Sequence, residues 1–191
     1  YCPTVGKFFG EVPHRMVGFC YRLGYRRRLD IYSLDYSLFR TMITRLRDYF
    51  VKKALVVGPN QTQTADVLVQ DGTISEIKPC IATLSAIEVI NGDGLVLLPG
   101  FIDIHNHGAR GFDFSFGQYD HQSDCFAHTA DVFMTGLRNY LEHNLTSGTT
   151  LLYPTTMAAP IEVLVKSFGW YNDFIHHHPE WSGVLGGINL E

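Results

Sequence analysis

Residues 97–108 read LLPGFIDIHNHG, an apolar run that ends abruptly in two histidines one residue apart. Side chains alternate faces along a strand, so on a strand Asp103, His105 and His107 point the same way. Two imidazoles converging at the end of an apolar strand are what a divalent metal site needs, because ring nitrogens are good ligands for zinc and iron. The run therefore asks for a fold that buries a strand and leaves its C-terminal end open.

The residues beyond this run narrow the choice. After residue 95 the pattern is strand, long connection, helix, strand, helix, strand, which is how βα units build a parallel sheet. The first strand is expected over 95–105. Phe126, Ala130, Phe133, Leu137 and Leu141 recur at three- and four-residue spacing and predict a helix over roughly 124–144. Gly148 ends that connection, and TTLLYPTT (149–156) forms the next strand. Pro160 suits the first turn of a second helix whose Ile161, Leu164, Phe168, Tyr171 and Ile175 line one face. GVLGGINLE (183–191) reads as a third strand.

The chain before residue 95 is of another kind. Residues 1–48 are aromatic and arginine-rich, and Gly6, Gly10, Pro13, Gly18 and Gly24 interrupt any periodicity, so they read as a poorly patterned leader. Only 34–47 hints at a helix. From Lys53 the strands ALVV (54–57), ADVLVQ (65–70) and TISEI (73–77) succeed one another. Asp71-Gly72 between the last two predicts a hairpin, because the turn needs positive φ and glycine tolerates it. Residues 49–95 are thus expected to form part of a small β-sandwich domain, and 96–191 a separate α/β segment.

Composition excludes several function classes. The 191 residues are 46% hydrophobic and 18% charged, which fits a soluble globular protein, and no window approaches the roughly 18 apolar residues of a membrane span. The net charge of −4 hides an asymmetry: residues 1–50 carry nine Lys/Arg against four Asp/Glu, and 51–191 six against fifteen. Arg22, Arg26, Arg27 and Arg28 have no zinc-finger or helical-repeat context, so a solvated leader is expected and no nucleic-acid partner. Cys2, Cys20, Cys80 and Cys125 lie far apart without a C-x-x-C pair, which points to a reducing, cytoplasmic setting. His176, His177 and His178 precede Pro179 and are expected to splay apart in a loop; His121, His128 and His143 are ordinary helix or loop positions.

Order and spacing carry more than any single motif. PGFIDIHNHGARGFDF (99–114), SGTTLLYPTT (147–156) and VLGGINLE (184–191), after an antiparallel β unit, resemble the amidohydrolase superfamily, and within it the N-acetylglucosamine-6-phosphate deacetylases. The similarity covers about residues 50–191. It implies the N-terminal part of a (β/α)8 TIM-like metal-dependent hydrolase barrel, preceded by a small β-sandwich segment, with the chemistry at the C-terminal strand ends. A strand-end glutamate in the family pattern His-Leu-Glu-Gly-Pro is a metal ligand there, and Asn189-Leu190-Glu191 matches it with asparagine in place of the histidine. The resemblance therefore implies Glu191, His105 and His107 as ligands of a divalent metal (Zn, Fe or Mn), one or two ions per subunit. Gly108–Asp113 with Arg110 is a candidate phosphate cradle, and Thr155 and Thr156 are candidate sugar contacts.

The implied reaction is hydrolysis of the N-acetyl amide of N-acetylglucosamine 6-phosphate, with a small-molecule sugar phosphate as substrate and a homodimer as the parent assembly. In the family the general-base aspartate lies on a late barrel strand and two further metal-binding histidines come after the glutamate strand, and these are not in this sequence. Only 97 residues follow Gly94, where a barrel takes about 250, so three of eight strands and no complete site are expected. Other amidohydrolases, such as cyclic-amide hydrolases or deaminases, and a non-catalytic barrel relative are the alternative readings.

Overall fold

The computed structural model describes residues 19–22, 48–70, 73–82 and 87–191. They fall into two compact units, 19–22 with 48–98, and 99–191. The first unit is one sheet. Its strands are β1 (Phe19–Arg22), β2 (Tyr49–Val57), β3 (Thr62–Gln70), β4 (Thr73–Lys78), β5 (Glu88–Asn91) and β6 (Leu95–Leu98), in the order β1-β6-β2-β3-β4, with β5 also on β2. β5 runs parallel to the first half of β2 and β6 to its second half, so the two share one edge.

Strand alternation sorts the apolar side chains of this sheet onto two faces. Val51, Val67 and Val69 cluster with Ala54 and Leu97, whereas Phe50 and Leu68, one residue out of phase, cluster with Ile81. Between Val51 and Ala54 the β2–β3 register slips and Lys53 takes a φ of 58°. The buried Asp66 holds this bulge, one carboxylate oxygen accepting the Lys53 N–H at 2.9 Å and the other the Ile81 N–H at 2.9 Å. Gln70 stands opposite Thr73, as the expected hairpin requires; Asp71 and Gly72 themselves lie outside the described residues. Phe19–Arg22, within the segment read as a patternless leader, pairs antiparallel with β6, and four residues are too few to show a period. The helix expected at 34–47 and Arg26–Arg28 fall outside the described residues.

The second unit contains β7 (Phe101–Asn106), a meander of β8 (Gly108–Ala109), β9 (Phe112–Asp113), β10 (Gly117–Asp120) and β11 (Cys125–Ala127), helix α1 (Ala130–Thr146), β12 (Thr149–Pro154), helix α2 (Ile161–His177) and a 3-10 turn, Pro179–Trp181. β7 and β12 pair in parallel, and residues 183–191 continue the sheet through parallel bridges Leu152–Leu185 and Thr155–Asn189. The order in space is therefore the order in sequence, as two successive βα units demand.

Four expectations need correction. The strand predicted over 95–105 is two strands broken at Pro99-Gly100, because proline has no N–H for a ladder. Leu95–Leu98 belongs to the first unit. At Gly100 a Cβ would lie 2.1 Å from the Thr150 hydroxyl, so only glycine lets β12 pass. The helix predicted from 124 starts at Ala130, since the meander occupies the preceding residues and Phe126 sits on β11. The third strand is reduced to bridges, its ladder interrupted at Gly186-Gly187, where Gly187 has a φ of 138°. The apolar run expected to be buried is open on both faces of β7: Phe101 on one and Ile102 and Ile104 on the other are exposed, Ile104 to 68%.

The core of this unit is aromatic. Phe133, Leu137, Tyr140, Leu141 and Leu145 of α1 pack on Phe112, Phe114, Leu152, Tyr171 and Phe174, closed by Trp181, Val184 and Leu185. Of the predicted α1 stripe Phe133, Leu137 and Leu141 are buried, whereas Ala130 and Phe126 are exposed. On α2 Tyr171 of the predicted face is buried and Phe168 and Ile175 pack against the core, Ile161 is exposed, and Ser167 and Phe174, outside the predicted set, are buried. Gly148, at φ 96°, ends α1 with its N–H on the Leu145 carbonyl, an arrangement favouring glycine. Among the described residues no helix is long and apolar enough to cross a membrane.

Candidate metal centre

β7 ends at Asn106, and the parallel register carries β12 and residues 189–191 to the same level. His105 Nε2, His107 Nε2 and Glu191 Oε2 converge there. The two imidazole nitrogens are 3.2 Å apart, and the carboxylate oxygen lies 3.3 Å from His105 and 3.1 Å from His107. Among the described residues this is the cluster of His, Cys, Asp and Glu that fits an ion.

The donor set answers whether a metal suits the site. His107 Nδ1 is 3.2 Å from the Thr155 carbonyl oxygen, which can only accept, so the ring proton resides on Nδ1 and the Nε2 lone pair faces the other two groups. A proton can bridge one pair of such acceptors, whereas a cation satisfies all three. Two ligand atoms bonded at about 2.0–2.1 Å to one tetrahedral ion lie about 3.3 Å apart, close to all three observed separations. The histidine rings stand at 74° to each other, edge to face, so they do not stack. The residues present fit a divalent ion. The side chains of His105 and Glu191 are more than half exposed, so a further position faces solvent.

Threonines fix the backbones that carry these ligands. Thr155 Oγ1 accepts the Asn106 N–H at 3.0 Å and the Asn189 amide at 3.3 Å, and donates to the Tyr153 carbonyl at 3.2 Å. Thr156 Oγ1 accepts the Glu191 N–H at 3.2 Å. Both threonines are buried, and the hydroxyls expected to contact sugar are occupied by the strand ends they hold. Asp103, on the ligand face by periodicity, spends its carboxylate on the His105 N–H and the Asn106 amide.

Arg110 and Gly111, at φ 55° and 79°, form the two-residue turn of the β8–β9 hairpin, which needs positive φ at both positions. Gly108 is required for close approach, since a Cβ would stand 1.8 Å from the Phe112 carbonyl oxygen. The expected phosphate cradle is therefore a paired hairpin, and the Arg110 guanidinium donates to His143 Nδ1 on α1 at 3.3 Å. The three consecutive histidines are not in a loop as expected: His176 and His177 close the last turn of α2 with their rings edge to face, 5.5 Å between centroids, His177 Nδ1 lies against the Asp173 carbonyl, and only His178, past the helix end, turns away to Glu180 at 3.3 Å and Arg138 at 3.0 Å.

The sequence reading did not single out Asn106, Tyr140 or Asn144, which brace the histidine pair from behind. The Tyr140 hydroxyl donates to the Asn106 carbonyl at 3.2 Å, and the Asn106 amide reaches both Asp103 at 2.8 Å and Asn144 at 3.4 Å. Burial, with Asp103 adding to it, pushes the Tyr140 phenol far up, so it stays a donor. The available signal was a polar Asn144 interrupting the apolar stripe of α1.

No protein-family model matches the chain. It is 49% identical over 45 residues to a dihydroorotase of Mycobacterium tuberculosis, covering 24% of this chain and 10% of that protein. It is 29% identical over 118 residues to an N-acetylglucosamine-6-phosphate deacetylase of Lysinibacillus sphaericus, covering 62% of this chain and 24% of the relative. The crystal structure of the Pasteurella multocida N-acetylglucosamine-6-phosphate deacetylase superposes with a TM-score of 0.54 at 23% identity, over 68% of this chain and 31% of that one. The chain thus spans between a tenth and a third of the length of these proteins. It carries the fold of part of an amidohydrolase-superfamily protein, and its likeness to the N-acetylglucosamine-6-phosphate deacetylases of that superfamily is met in both sequence and structure.

Proposed function

We propose that this chain supplies metal-binding strand ends of a hydrolase that removes the N-acetyl group of N-acetylglucosamine 6-phosphate, giving glucosamine 6-phosphate and acetate. The observation that carries the reading is the convergence of His105, His107 and Glu191 within 3.1–3.3 Å of one another at the open ends of parallel strands. His105, His107 and Glu191 would hold a divalent ion there, which would supply a Lewis acid for activating a water and a carbonyl oxygen. The chain's own residues prepare for this. His107 keeps its Nδ1 proton on Thr155, which fixes the ring and leaves Nε2 as the ligand atom. Glu191 adds one negative charge that offsets half that of a dication, and the Thr156 hydroxyl holds its backbone. Arg110, exposed and hydrogen-bonded to a neutral partner, is the phosphate-contacting cation of this reading.

The deacetylase is favoured over other amidohydrolases by the length of its match, 118 residues against 45. The higher local identity to a dihydroorotase makes that activity the second reading. The test is to assay the full-length protein for acetate release from N-acetylglucosamine 6-phosphate and for turnover of dihydroorotate. The proposal expects acetate release that a chelator abolishes and that His107→Ala or Glu191→Gln lowers at least tenfold. A metal-loaded protein that releases no acetate overturns it, and turnover of dihydroorotate then selects the second reading.

A further inference from the structure

Tyr140 and Asn144 are four residues apart on α1, so they lie on one face of the helix, and both reach Asn106, the residue between the two histidines. They hold it differently. The Tyr140 hydroxyl bonds the Asn106 backbone carbonyl, and the Asn144 carboxamide bonds the Asn106 side chain. From the other side, Thr155 takes the Asn106 N–H, the Thr155 N–H donates to the Asn106 carbonyl at 2.9 Å, and Asp103 takes the Asn106 amide. The remaining oxygen of that amide accepts the Gly108 N–H at 3.1 Å. Asn106 is thereby held through both its backbone and its carboxamide.

We propose that Tyr140 and Asn144 are positioning residues for the histidine pair: by clamping Asn106 from α1 they fix the backbone that sets the His105–His107 separation, without touching the ion themselves. This rests on the metal-centre reading above. The clamp is well placed for the task because Tyr140 is fully buried and Asn144 nearly so, so neither exchanges its partner for water. Asn144 is itself anchored, its amide donating to the Tyr140 carbonyl at 2.9 Å, which couples the two halves of the clamp. A histidine that must rediscover its rotamer and backbone on binding spends affinity on that ordering, and loss of an outer partner of a ligating histidine typically weakens metal binding about 10–100-fold.

The experiment uses the full-length protein and two readouts. The first is Zn2+ affinity by competition with a chromophoric chelator; the second is amide hydrogen exchange at residues 105–108 in the metal-free state. Tyr140→Phe removes one hydroxyl from a buried ring, and Asn144→Ala is the second variant. Tyr171→Phe, in the same core but off the clamp, is the control. Both clamp variants should weaken Zn2+ binding by up to about 10-fold, the low end of the range for a direct partner of a ligating histidine because they act through Asn106, and speed exchange at 105–108, with the control unchanged in both. Wild-type Zn2+ affinity in Tyr140→Phe overturns the positioning role while leaving the metal centre standing. If the unmodified protein binds no Zn2+, the metal reading fails, and the exchange data decide the clamp alone: unchanged protection at 105–108 in Tyr140→Phe overturns it.

Discussion

Thr155→Val separates hydrogen bonding from packing at the metal centre. Valine has the shape of threonine with the hydroxyl replaced by a methyl. If Thr155 served only to fill the core, the change would be neutral or slightly stabilising, since one more buried methyl gains about 0.8 kcal/mol. The structure argues otherwise. The hydroxyl accepts the partly buried Asn106 N–H at 3.0 Å, whose loss of a partner costs about 1–3 kcal/mol. The Asn189 amide, only partly buried, recovers part of its loss from water. The net expectation is a destabilisation of about 2 kcal/mol, or roughly a thirtyfold shift in the folded-to-unfolded ratio. Both tryptophans, Trp170 and Trp181, belong to the core of the unit that contains Thr155, so urea unfolding followed by tryptophan fluorescence reports on that unit. With a denaturant slope of about 1–2 kcal/mol per molar, the midpoint should fall by about 1–2 M. Thr155→Ser keeps the acceptor and loses a methyl, so it should cost about 1 kcal/mol and leave Zn2+ affinity near wild type, whereas Thr155→Val should weaken it. A valine variant with the wild-type midpoint would refute the reasoning.

Other perturbations test other parts of the fold. Gly136→Ala gains about 1 kcal/mol of helix propensity but sets a Cβ 2.2 Å from the Phe112 ring, and overpacking costs about 1–3 kcal/mol, so thermal melting should show a net loss. Asp66→Asn leaves one acceptor oxygen for two N–H donors, that of Ile81 buried and that of Lys53 partly so; it should cost about 1–3 kcal/mol and speed hydrogen exchange at Lys53 or Ile81. Burial, and secondarily Lys166, hold the His128 imidazole below its usual pKa. The unfolded chain then binds more protons at this position, so the His128 contribution to stability is lost as pH falls below about 6.5. Urea midpoints at pH 7.5 and 5.5 should differ less in His128→Gln than in wild type.

Much of this was legible locally. The Asp-Gly signal between two alternating runs gave the β3–β4 hairpin, and the spacing of Phe133, Leu137 and Leu141 gave the buried face of α1. Ser167 was missed from the α2 face because it is buried through its hydrogen bonds to the Ser115 carbonyl and His128, which no hydropathy pattern records. The meander was missed because its strands are two to four residues long, too short for a period to appear.

By itself the sequence determined the ligand chemistry and the alternation of strand and helix, since both come from residue type and from spacing within a few turns or pleats. Only the tertiary structure decided that Glu191 meets His105 and His107, and that Thr155, Tyr140 and Asn144 hold the residues carrying the site. The physical reason is register. Local pattern specifies which face a strand buries, but the level at which distant strand ends meet is set by ladder hydrogen bonds between segments far apart in the chain, and a slip of one residue would turn the ligands to the opposite face.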